Sequence, residues 1–233
     1  MTRGGVRFVW LVLRACGSVV LAGGSASPAL AQAPEVAVRD FGQLMAAFER
    51  MPGLEARFVE EKHIGILARP LESRGQLFFT RPGLFLRRVE SPSPSEVVIN
   101  DKELVLRDAS GEQRIDLGAR AEIRPFVESM TWLLAGNQQA LRAVYQIEFV
   151  PAADAASWSL VLTPKQGPIA RLIASIRVLG RGLGVSEIQV HERSGDKAVT
   201  RIVDANPKRH FTRVELARLF GVGAPGVGTG SKP

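Results

Sequence analysis

Three histidines, His63, His191 and His210, one cysteine, Cys16, and a glycine-rich pentad, Gly180-Arg-Gly-Leu-Gly184, are the residues of this 233-residue chain whose types could do chemistry. A histidine acting as a base or a metal ligand needs company, either a second histidine one helical turn away or a nucleophile to activate. Here the three are scattered, with no His-x-x-x-His pair and no Gly-x-Ser-x-Gly elbow. His191-Glu192 falls at the end of a predicted strand, where neighbours point to opposite faces, so the pair reads as a solvated strand end and not as an acid/base couple. The pentad resembles a phosphate loop, but it lies between two predicted strands. No helix follows to supply a dipole, and it reads as a hairpin turn. A single cysteine excludes a disulfide framework and a zinc site of several cysteines. No catalytic residue, metal or cofactor is expected.

Cys16 belongs to a segment that is not fold. Arg3 and Arg7 precede two apolar runs, 8–13 and 15–24, split by Arg14, and small residues then lead to Ala29-Leu30-Ala31. This is the pattern of a signal peptide, with cleavage expected after Ala31. Neither apolar half approaches the roughly 20 residues that span a bilayer. Leu13-Arg14-Ala15-Cys16 is a partial lipobox, disfavoured by Arg14 and by the short run before it. The chain's net charge of +7 thereby shrinks: residues 1–31 hold three arginines and no acid, leaving 27 basic side chains against 23 acidic. The expected mature protein has no cysteine, sits in the periplasm and has no call for nucleic acid as a partner.

Beyond the leader the elements follow from periodicity. Asp40 precedes Phe41, Leu44, Met45, Phe48 and Met51, a helical stripe stopped by Pro52-Gly53. Short strand-like segments then begin at Leu54, Gly75, Leu84, Glu96, Glu103 and Gln113. They are too closely spaced for crossover helices, which predicts an antiparallel meander. Ile123, Phe126, Val127, Met130, Leu133 and Leu134 form a second helical stripe, with Pro125 in its first turn and Gly136-Asn137 at its end. A short helical piece is predicted at 138–143. Strands resume at Tyr145, Trp158, Ile173, Val185 and Ala198, and a disordered Gly-rich tail is expected over 221–233.

The fold class expected is mainly β with α: one curved antiparallel sheet forming an unclosed barrel over 32–220, with helices covering its apolar face. Leu77, Phe79, Ile99, Leu104 and Leu106 on one side, and Ile147, Phe149, Leu160 and Leu162 on the other, are the candidates for a concave face. Met130, Leu133 and Leu134 roof it. Such a face is either a filled core or a ligand cavity, and composition does not separate the two.

Thr80-Arg-Pro-Gly-Leu-Phe85, run into from Gly75-Gln-Leu-Phe-Phe, resembles the periplasmic outer-membrane lipoprotein carrier family, LolA. Leu54-Glu-Ala-Arg-Phe-Val-Glu-Glu-Lys62 is similar to that family's first strand and Leu160-Val-Leu-Thr-Pro-Lys165 to a later one. The resemblance implies a helical lid over a cavity that takes the acyl chains of lipoproteins or lipids, and a monomer that receives cargo from an inner-membrane releasing transporter and hands it to an outer-membrane acceptor. It places Phe85 at the family's aromatic position. Arg81 becomes the lid gate, hydrogen-bonded to lid backbone when closed. An alternative use of the same half-barrel is a periplasmic interaction or sensor module without lipid. Three features depart from the pattern: Arg87-Arg88 stand where a tryptophan is usual, Glu60-Glu61 where glutamine is common, and basic Lys208-Arg209-His210 and the tail replace a last strand.

Overall fold

The computed structural model describes residues 38–120, 124–152 and 156–221. The expected leader, Ile123 and all of the expected tail after Gly221 fall outside them. Helix α1 (Phe41–Glu49) begins where the sequence places it, because the Asp40 carboxylate accepts from the Gln43 N–H at 2.8 Å. Six strands follow, β1 (Gly53–His63), β2 (Leu71–Thr80), β3 (Leu84–Ser91), β4 (Ser95–Ile99), β5 (Glu103–Asp108) and β6 (Gly111–Asp116). Helices α2 (Arg124–Ala135) and α3 (Gln138–Val144) then lead to β7 (Tyr145–Pro151) and β8 (Ser157–Pro164). After the short α4 (Pro168–Leu172) come β9 (Ile173–Arg181), β10 (Gly184–Glu192), β11 (Lys197–Asn206) and a last helix, α5 (Arg213–Phe220).

All eleven strands join one antiparallel sheet in the order β6-β5-β4-β3-β2-β1-β11-β10-β9-β8-β7. The sheet does not close, since β6 and β7 are its two free edges. The chain crosses from one edge to the other through α2 and α3. Alternation sets the faces. Leu54, Ala56 and Phe58 of β1, Leu77 and Phe79 of β2, and Phe85 of β3 turn inward. Phe78, Leu86, Val98 and Val105 turn outward in one cross-strand row.

The interior divides in two. Phe41, Leu44, Met45 and Phe48 of α1 pack with Trp158, Leu160, Leu162 and Val178 on the β7–β10 side. On the β1–β6 side Phe58, Leu77, Phe79, Phe85, Ile99 and Leu104 form a second core. Helix α2 stands between them, giving Leu133 to the first and Val127 and Leu134 to the second, with Met130 against both.

Three elements differ from the sequence reading. Strand β2 starts at Leu71, so Gly75 lies inside it, at a register shift against β3 where a Cβ would come within 1.9 Å of the Arg88 carbonyl. It marks a close backbone approach, not a strand start. Helix α4 falls between the strands expected at Trp158 and Ile173, where no helix is predicted. Helix α5 occupies the stretch read as a basic end running into the tail. It covers the outward row, burying Leu219 and Phe220 against Phe78, Leu86, Val98 and Val105.

Candidate functional site

Arg81 occupies the β2–β3 turn, and from there it reaches the ends of α1 and α2. Its Nε donates to the Met51 carbonyl at 3.0 Å, and Nη2 donates to the Phe48 carbonyl at 2.7 Å and the Ala135 carbonyl at 3.2 Å. Phe48 lies at the end of α1 and Ala135 closes α2. The last carbonyls of a helix carry the negative pole of its dipole, and that of Phe48 also accepts from the Met51 N–H at 3.0 Å. A planar cation with several donors satisfies them together, and a lysine could not. The two helices also touch at Gly136, which holds φ 72° and approaches α1 so closely that a Cβ would meet the Met45 carbonyl at 2.4 Å.

Beneath this junction, at the seam between the two cores, lies a cavity of about 230 Å³. Phe48, Met51, Met130, Leu133 and Leu134 roof it; Leu54 and Ala56 (β1), Leu77 (β2), Phe85 (β3), Ile188 (β10) and Ile202 (β11) floor it. Leu183, at the tip of the β9–β10 hairpin and 39% exposed, stands at its mouth. The hairpin is Gly180–Gly184, the turn read from the sequence, with Gly182 at φ 53°.

Of the residues proposed for the concave face, Leu77, Phe85, Met130, Leu133 and Leu134 border this space. Phe79, Ile99, Leu104 and Leu106 face inward but are packed into the second core, and Ile147, Phe149, Leu160 and Leu162 lie in or against the core that α1 fills. The sequence reading missed Ile188, Ile202 and the hairpin tip. Their inward alternation was visible, but which inward residues border empty space depends on where α1 lies.

Toward the His63 end the inward positions of β1 turn polar, while Val89 of β3 stays in the second core. Arg87, opposite Leu77 in the β2–β3 pairing, lays its guanidinium 4.5 Å from the centre of the Phe58 ring and donates to Glu60 Oε1 at 2.9 Å. Glu60 Oε2 accepts from the Thr200 hydroxyl at 2.7 Å. Next along, Lys62 pairs with Glu192 at 3.3 Å, with side-chain exposures of 3% and 11%. Glu192 is therefore not the solvated strand end expected from the sequence. Alternation carries it from Ile188 and Val190 onto the face that Lys62 shares. Burial, then Lys197 and Arg177, lowers the His191 pKa. Among the described residues no group of three or more His, Cys, Asp and Glu comes together.

No curated protein matches the chain by sequence. Solved structures of similar shape include a DUF1329 family protein from Desulfovibrio piger, 10% identical, covering 77% of this chain and 96% of its own, with a TM-score of 0.47. A LolA superfamily protein from Nitrosomonas europaea is 10% identical, covers 78% and 98%, and scores 0.43. MucB of Pseudomonas aeruginosa, in complex with MucA, is 12% identical, covers 71% of this chain and 55% of its own, and scores 0.42. A family model is the more specific finding: residues 49–213, from the end of α1 to the start of α5, match that of the outer membrane lipoprotein carrier protein LolA. By that match, over most of its length and through the Arg81-Pro82 turn and the cavity floor, the chain belongs to the LolA family.

Proposed function

We propose that the protein is a periplasmic carrier that takes acyl chains of lipoproteins or lipids into the cavity beneath α2 and delivers them toward the outer membrane. The observation that carries this reading is an apolar cavity whose roof is tied down by one arginine. The leader expected over residues 1–31 supports export. The transporter that loads the carrier and the acceptor that unloads it belong to the same proposal.

At about 230 Å³ the cavity lies below the roughly 300–1,000 Å³ of ligand pockets, which supports reading the described form as a closed one. A full chain enters only if the roof lifts, which means parting Arg81 from the carbonyls of Phe48, Met51 and Ala135. Each hydrogen bond to a charged group is worth about 1.5–3 kcal/mol. Burial of ten methylenes contributes about 8 kcal/mol. The two totals are of similar size, so uptake can drive opening and release can reverse it.

The experiment is native mass spectrometry of protein purified from the periplasm, with lipid extraction. An acyl-bearing adduct of defined mass is expected. Protein that is empty in every preparation and takes up no fatty-acyl probe overturns the reading.

A further inference from the structure

Arg87 of β3 and Glu60 of β1 lie two strands apart and are bonded to each other across β2. Both face the interior. Their side chains are 14% and 9% exposed, and cavity residues lie close by on the same face: Leu77 is opposite Arg87, Ala56 precedes Glu60 by four residues along β1, and Ile202 is two residues from Thr200. Between the cavity and the network stands Phe58, paired with Ile202, with the Arg87 guanidinium over its ring.

We infer that the Arg87–Glu60–Thr200 network is the end wall of the acyl cavity and sets the length of hydrocarbon the protein accepts. The inference rests on the carrier reading. A methylene chain has no hydrogen bond to offer, and passing this point would separate a buried ion pair with nothing to replace it. Arg87 is held on Glu60, and Glu60 is also bonded to Thr200, so the wall is engaged internally and is not a socket for an anionic headgroup. Behind it the Lys62–Glu192 pair continues the polar interior toward the His63 end. The hydrocarbon lies between Leu183 at the mouth and Phe58 at the wall.

The test measures affinity across a ladder of saturated fatty acids of increasing chain length, for the wild type and for the double variant R87M/E60M. Removing both charges together leaves no unpaired ion. For the wild type, binding tightens with length up to a limit and then stops. In the double variant the limit moves to longer chains, with about fourfold tighter binding for each added methylene that finds room. A folded double variant with the wild-type limit overturns the inference while leaving the carrier reading intact. If no fatty acid binds the wild type, the carrier reading fails and takes the wall with it. A second measurement needs no variant: a fatty acid with a terminal diazirine, photolysed on the wild type, should label Phe58, Leu77 or Ile202. Labelling of the mouth at Leu183 by the chain terminus overturns the inference.

Discussion

Arg81 and Arg87 illustrate how one residue type takes opposite roles on one sheet. Arg81 reaches neutral carbonyls at two helix ends, so replacing it frees the lid without stranding a buried ion. Arg81→Leu should weaken lid closure by about 2 kcal/mol or more, read as a roughly thirtyfold rise in amide exchange in α1 and α2 with the sheet unchanged. Arg81→Lys should restore part of it, because an ammonium cannot span three carbonyls. Arg87 instead neutralises a buried carboxylate, so Arg87→Met alone leaves Glu60 uncompensated and should cost roughly 3 kcal/mol in global unfolding. The double variant should recover most of that in denaturant titration. The sequence identified Arg81 only through a motif. The bond between Arg87 and Glu60 could not be read there, since it requires β3 to lie two strands from β1 with both residues inward.

Among the elements, alternation made every strand of the sheet legible, and capping chemistry made α1 and α2 so. Helix α5 was also written in the sequence, in a Thr212-x-x-Glu215 capping box and a terminal Gly221 in the left-handed conformation. The basic run before it drew attention away. Its partner surface, the outward row from Phe78 to Val105, becomes visible only once the register is known. The Thr212 backbone N–H and hydroxyl, and then the Arg209 guanidinium, hold the Glu215 carboxyl at about 2, below its ordinary 4.5. A carboxyl depressed on folding stabilises fully above the unfolded value, and that contribution is lost as pH falls toward the folded one. Acidification from pH 4.5 to about 2 should therefore loosen α5, seen as rising amide exchange over residues 213–220. Glu215→Gln should abolish this dependence. At the α1–α2 contact, Gly136→Ala imposes a left-handed alanine worth about 1–2 kcal/mol and drives its Cβ into the Met45 carbonyl. Thermal melts should show the loss, with increased exchange concentrated in the lid helices.

At the scale of the molecule, the unclosed sheet explains why a cavity exists at all. Two cores fill the two sides, α2 wedges between them, and the seam beneath is left partly empty because the lid crosses from edge to edge and cannot settle into the sheet. The chain's positive charge is not gathered on one surface. Three arginines belong to the expected leader, and many of the remaining ones are paired across strands, as Arg88 with Glu96, Arg201 with Glu61 and Arg209 with Glu55. What distinguishes the interior is an apolar cavity at the seam of the two cores. The central claim is that an acyl chain occupies it. The most direct measurement places a photocrosslinking amino acid at Met130, whose side chain meets both cores and the cavity, and weighs the adduct formed in the periplasm. A lipid adduct is expected. Adducts with protein partners alone, and none with lipid, would contradict it.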